Sequence, residues 1–169
     1  MNPEIEGLAA PLLLHLLTLA LTWRAEVGES AADMLKVFSK PKCLACPRRR
    51  RCLTAIMLIR AAAHPLLFAL LFGVPSLLFG RVGLATGAVA AILLTLPVGS
   101  IQRAGREGHL FRALLWNTTF SIGRAYAYAK LWLLSPPLFI AVFSASSTAV
   151  EVAAWKAALT WDRASRGGG

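Results

Sequence analysis

Residues 61–80 read AAAHPLLFALLFGVPSLLFG and contain no Asp, Glu, Lys or Arg. At a rise of 1.5 Å per residue, a helix of that length covers ~30 Å, the thickness of a bilayer's hydrocarbon layer. Arg81 interrupts, and residues 82–102 (VGLATGAVAAILLTLPVGSIQ) are again uncharged. Residues 131–150 (LWLLSPPLFIAVFSASSTAV) form a third uncharged run. A buried helix in a soluble domain rarely needs such a length, so each run reads as a membrane span. A shorter fourth stretch, 8–23 (LAAPLLLHLLTLALTW), contains Pro11 and His15 and reads as a short span or an interfacial helix.

Composition supports this reading. Of the 169 residues, 57% are hydrophobic and 15% charged, against roughly 45–50% and about 25% in soluble domains. Disordered, collagen-like and coiled-coil classes are excluded, and an ordinary soluble enzyme is disfavoured. The net charge is +10, from 18 basic and 8 acidic side chains. In a soluble chain that excess would suggest nucleic acid. Here the basic residues cluster: Lys36, Lys40, Lys42 and Arg48, Arg49, Arg50 and Arg51 precede the first long run, and Arg103, Arg106 and Arg112 follow the second. Lys and Arg collect in loops that stay on the inner side. Residues 24–52, a basic loop containing the cysteines, and residues 103–112 are therefore expected on one inner side. Residues 53–102 form a hairpin whose tip, near Arg81, lies outside. The residues ahead of the first apolar stretch carry Glu4 and Glu6 and no Lys or Arg, unlike a secretory signal, so that stretch is expected to be retained.

Residues 109–130 differ. Asn117, Ser121, Arg124 and Tyr128 fall on one helical face, with Leu115 and Ile122 on the other side. Such a helix lies along the inner surface, or crosses with Arg124 turned toward other helices. Exposure of an isolated Arg at the bilayer centre costs about 3 kcal/mol or more, which favours crossing in a bundle. The last span is expected over 131–155, with Trp132 and Trp155 near its ends and a kink or restart at Pro136 and Pro137. Residues 164–169 read as a disordered tail, leaving 1–163 as one membrane domain. The expected architecture is an all-α, polytopic membrane bundle of four to five transmembrane helices, with spans at 8–23, 53–79, 82–102, 109–130 and 131–155.

Gly83, Gly87, Ala91, Thr95 and Gly99 recur every four residues. Small side chains aligned on one helix side admit a close helix neighbour, within the chain or in a second copy. Cys43, Cys46 and Cys52 have the spacing C-x2-C-x5-C. With His64 they match the donor types of a tetrahedral zinc site, but a second C-x2-C is absent and iron–sulfur spacing is not met. A redox pair, Cys43 with Cys46, beside thiolate-stabilising arginines is a second reading, and palmitoylation a third. Reduced cysteines at a membrane surface are the plainest. No metal or cofactor is assigned. Arg48, Arg49, Arg50 and Arg51, with Arg103, Arg106 and Arg124, are candidates for inner-face or lipid-headgroup contacts, at about 1 kcal/mol each near an anionic surface. The arginine run abuts a span and lacks an aromatic platform, so nucleic acid is not expected as a partner. No P-loop, GxSxG, HExxH or paired-carboxylate pattern is present. Glu107 and His109 in the inner loop, and Glu151 with Lys156 closing the last run, read as solvated or boundary residues.

Residues 101–110, IQRAGREGHL, followed by a helix reaching Arg124, resemble the transmembrane protein 135 and peroxisomal membrane protein 4 group, itself related to mitochondrial inner-membrane multi-helix translocases. In that group a small-residue helix runs into an Ile-x-Arg-x-x-Arg loop and then a helix ending near an Arg. Gln102 stands where the group has an acidic residue, and the interval from Cys52 to Ile101 is short by about a helical hairpin. The resemblance implies a peroxisomal or mitochondrial membrane protein concerned with organelle shape or with lipid or metabolite handling. It supplies no catalytic residue. The function expected is thus non-catalytic: membrane organisation or lipid and solute passage. The alternatives are a thiol oxidoreductase using Cys43 and Cys46, or a helix-packing subunit of a larger membrane complex. The partners expected are a bilayer with anionic headgroups and a homo-oligomeric or complex partner.

Overall fold

The computed structural model describes residues 3–38, 49–96 and 98–167, and every element in it is helical. The order is α1 (Pro3–Phe38), α2 (Arg49–Thr95), α3 (Val98–Arg106), α4 (Leu110–Leu134) and α5 (Pro136–Gly167). Among the described residues, three helical stretches are long and apolar enough to cross a membrane: Gly7–Lys36, Arg50–Leu94 and Pro136–Ala164.

The boundaries differ from the sequence expectation in instructive ways. The first helix does not stop near Trp23 but continues to Phe38, so residues 24–38 are helix and not loop. The reason is periodicity. Val27, Ala31, Met34 and Leu35 fall on one side, Ala31 and Met34 are fully buried, and Asp33 and Lys36 are exposed. Residues 49–52 likewise form the first turn of α2. The expected run 82–102 is divided, because helix ends at Thr95 and a separate nine-residue helix begins at Val98. Pro97 lies between them, and proline pushes the residue before it out of helical geometry. Between α4 and α5 Ser135 is extended (φ −161°, ψ 96°), so Trp132 and Trp155 belong to different helices. The tail expected from residue 164 is helical through Gly167.

α2 is two arms joined at Gly80, whose φ of 57° and ψ of −129° no L side chain adopts without strain. The arms, 49–79 and 81–95, fold back on each other tightly. A Cβ added at Gly83 would run into the carbonyl oxygen of Pro75, and one at Gly87 into that of Leu71. The partner that these two glycines meet is therefore the preceding arm of the same chain.

The described contacts divide into two units. One comprises Met1–Thr22 and Leu66–Phe143. Its core is aromatic. Phe68 stacks on Phe143 at 4.6 Å between centroids, and Tyr128 sets its edge against Phe139 and Phe143 at 5.7 and 5.1 Å. Each such pair adds about 0.5–1.5 kcal/mol beyond area burial. The second comprises Trp23–Pro65 and Ser144–Gly169, and packs Ala31 and Met34 of α1, Leu53 of α2, and Ala154 and Ala158 of α5.

Both cores are mainly apolar, yet neither unit keeps all its large apolar side chains inside. Large apolar side chains face outward, including Leu13, Leu17 and Leu21 of α1, Ile59 and Leu77 of α2, and Phe111 and Leu115 of α4. Leu77 is 87% exposed while Glu151 is 1% exposed. Hydroxyls are satisfied by carbonyls of their own helix: Thr22 donates to Thr18 at 2.8 Å, Thr54 to Arg50 at 2.9 Å, Thr86 to Gly83 at 2.7 Å and Ser76 to Gly73 at 3.0 Å. Local back-bonding of this kind satisfies a hydroxyl without water.

Gly83→Ala, and equally Gly87→Ala, should lower the stability of the detergent-solubilised protein by about 1–3 kcal/mol through forced separation of the two arms. Gly28→Ala, with open space around it, should raise stability by roughly 0.5–1 kcal/mol. Thermal unfolding followed by circular dichroism checks the pair of outcomes.

Candidate functional site, a buried ion pair among three helices

In the second unit, α1, α2 and α5 bring five polar side chains together. Arg60 and His64 are four residues apart on α2, and Ser147 and Glu151 are four apart on α5, so each pair lies on one helix face. Ser30 projects from α1. The Glu151 carboxylate is the centre. It accepts the Nε–H of Arg60 on both oxygens, at 3.2 Å to Oε1 and 3.1 Å to Oε2. The Ser30 hydroxyl donates to Oε2 at 2.9 Å. Arg60 Nη2 in turn donates to Ser30 Oγ at 3.3 Å, which closes a three-membered ring of contacts. His64 Nδ1 lies 3.6 Å from Glu151 Oε1 and 3.4 Å from Ser147 Oγ.

The electrostatics of this arrangement depend on burial. The Glu151 side chain is 2% exposed, that of Arg60 27% and that of His64 42%. An uncompensated carboxylate at such a depth carries a desolvation cost of several kcal/mol, which only a well-placed cation and further donors offset. Arg60 and Ser30 supply these. His64 provides the open edge of the cluster. Trp155, one turn beyond Glu151, lies with Arg50 over its ring at 5.9 Å.

The first unit holds a second polar seam. His15 and Thr18 of α1 are buried, as are Ser121 and Tyr128 of α4. His15 packs against the Tyr128 ring at 5.4 Å, and Arg124 Nη2 donates to Thr22 Oγ1 at 2.5 Å. The face of α4 that carries Ser121, Arg124 and Tyr128 is thus the inward face, while Phe111, Leu115 and Ile122 point out. Asn117 donates to the Ala113 carbonyl at 2.8 Å.

The sequence-derived candidates distribute as follows. Gly83, Gly87 and the buried Ala91 lie along the second arm of α2. Thr95, Gly99 and Arg103 are on helical backbone, and their surroundings fall outside the described residues, as does the side chain of Arg49. Cys43, Cys46 and Arg48 also lie outside the described residues. Cys52 sits half-buried against Leu53, Ala154 and their neighbours. Arg50, Arg51, Arg106 and Arg112 have side chains at the surface, partly or fully exposed. Among the described residues no group of three or more His, Cys, Asp or Glu is placed to hold a metal ion.

Sequence reasoning missed the Arg60–Glu151 pair. Both residues border long uncharged runs and look like boundary charges there. The available signal was the two i, i+4 couples, Arg60 with His64 and Ser147 with Glu151, which place polar groups on single faces of otherwise apolar helices. No family model, curated protein or solved structure matches the chain.

Glu151→Ala should destabilise the protein by about 3 kcal/mol, because it leaves Arg60 without its carboxylate between packed helices. Replacing both charges, Arg60→Leu with Glu151→Leu, should cost less than either single removal. Equilibrium unfolding in mixed micelles measures the cycle, with Lys156→Ala as an exposed control near zero.

Proposed function

We propose that this chain is a multi-pass integral membrane protein of five crossings, non-catalytic, whose polar interior serves the passage of lipid or small solute. The observation that carries the reading is a carboxylate with 1% exposure held among helices that expose many large Leu, Ile, Val and Phe side chains. Ionisable groups retained between membrane helices mark substrate and ion pathways.

The proposed crossings are α1, the first arm of α2, its shorter second arm together with the start of α3, α4 and α5, with Gly80 at an outer turn and Arg106 on the inner side. The inward face of α4 supports its crossing rather than lying flat. With five crossings and an outer start, residues past Glu151 return to the inner side, and Lys156, Arg163 and Arg166 agree with that by the distribution of basic residues. Arg50, Arg51, Arg106 and Arg112 then meet anionic headgroups. A peroxisomal or mitochondrial membrane is carried by the resemblance of residues 101–124 alone, and organelle fractionation tests it.

Two experiments bear on this reading. In a background with Cys43, Cys46 and Cys52 replaced by Ser, Arg81→Cys should react with a membrane-impermeant maleimide from outside. Arg106→Cys and Arg163→Cys should react only after permeabilisation. Labelling of position 163 from outside removes one crossing from the proposal. For passage, the full chain is reconstituted in phosphatidylcholine–phosphatidylglycerol vesicles. Dithionite bleaching of a fluorescent lipid reads transbilayer lipid movement, and stopped-flow swelling in glycerol reads solute movement. At least one rate should exceed that of protein-free vesicles and fall in Glu151→Gln. Two rates equal to the protein-free control sink the passage reading.

A further inference from the structure

We propose that His64, set between Glu151 and Ser147, is a proton-uptake site whose occupancy changes the charge of the buried cluster. His64 is the one histidine in the segments 23–65 and 144–169, and histidine is the side chain whose unperturbed charge change falls between about pH 5 and 8. The geometry offers its ring two states. In the neutral ring Nδ1 accepts the Ser147 hydroxyl proton across 3.4 Å, and Nε2 carries the hydrogen. Uptake of one proton from water makes Nδ1 a donor. It then faces the Glu151 Oε1 at 3.6 Å, and the Ser147 oxygen turns from donor to acceptor. One proton enters from hydronium, one water is released, and no other bond changes.

Burial of the ring acts on its charge first, then the charges of Glu151 from α5 and Arg60 from its own helix α2. α1 contributes the neutral hydroxyl of Ser30, already engaged with Glu151 and Arg60. With His64 neutral, Arg60 and Glu151 cancel, and the cluster carries no net charge. With His64 protonated, it carries one positive charge. The ring is the outermost group of the cluster, since the His64 side chain is 42% exposed while that of Glu151 is 2% exposed. A carboxylate already held by Arg60 and Ser30 stays in place when the proton leaves, so the site empties without dismantling the helix contact. This inference stands on the packing of three helices, and it holds or fails independently of any passage activity.

The test is a pH titration of the full chain, labelled with nitrogen-15 in its histidine rings and held in lipid nanodiscs. The chain has three histidines, and the signal lost in His64→Asn assigns the one of interest. The wild-type His64 signal should move reversibly between its neutral and charged positions within about pH 5 to 8. At a fixed pH near its midpoint the protonated fraction should fall several-fold in Glu151→Gln and rise in Arg60→Gln, with His109 unchanged in both. Should Glu151→Gln fail to fold, Arg60→Gln and the wild-type titration still decide the matter. A His64 signal fixed in one protonation state across that range overturns the proposal. So does a titration that neither charge substitution moves.

Discussion

A carboxylate removed from water must be given back what water supplied, and the Glu151 carboxylate imposes that constraint on its whole neighbourhood. Its two oxygens take the Nε–H of Arg60 and the hydroxyl of Ser30. Meeting the demand requires α1, α2 and α5 to hold one register against one another. A slip of a single residue on a helix turns a side chain by about 100°, which would separate donor from acceptor. The small side chains Ala31, Ala154 and Ala158 beside the ion pair let the helices approach closely enough for short polar groups to meet.

The other unit solves its packing differently. There the specificity comes from rings and from close backbone approach. Phe68, Phe72, Tyr128, Phe139 and Phe143 interlock edge to face and face to face. Gly83 and Gly87 let the two arms of α2 meet backbone to backbone. Lipid tails are as apolar as Leu, so burying Leu gains little inside a bilayer, whereas shape and hydrogen bonds remain effective. Many long aliphatic side chains accordingly lie outside, and much of this unit's core is made of rings.

What could be read from the sequence was what depends on short range. The apolar helical character of runs 61–80, 82–102 and 131–150 was legible, although helix ends at Thr95 within the second and restarts at Pro136 within the third. The break near Arg81, the restart at Pro136 and the common face of Ser121, Arg124 and Tyr128 were also local signals. The second half of α1 was not read, because charges such as Glu26, Glu29 and Asp33 masked the periodic Val27, Ala31 and Met34. The ion pair was harder still. Arg60 and Glu151 are 91 residues apart, and each alone resembles an end-of-span charge. Only the packing of α2 against α5 turns two boundary residues into one buried site. The cysteine motif drew the eye instead, since its spacing is conspicuous in one dimension.

The central claim is that α5 crosses the membrane with Glu151 on its shielded face and its opposite face toward lipid. Site-directed spin labels placed one at a time from residue 139 to residue 160 of α5 test it in nanodiscs, read by collision with oxygen and with a nickel chelate. The account predicts a helical period. Oxygen should reach labels at 141, 145 and 148, and both reagents should be excluded at 143, 150, 154 and 158, in line with their burial. A flat profile, or nickel access along the whole helix as on a water-facing surface, would contradict it.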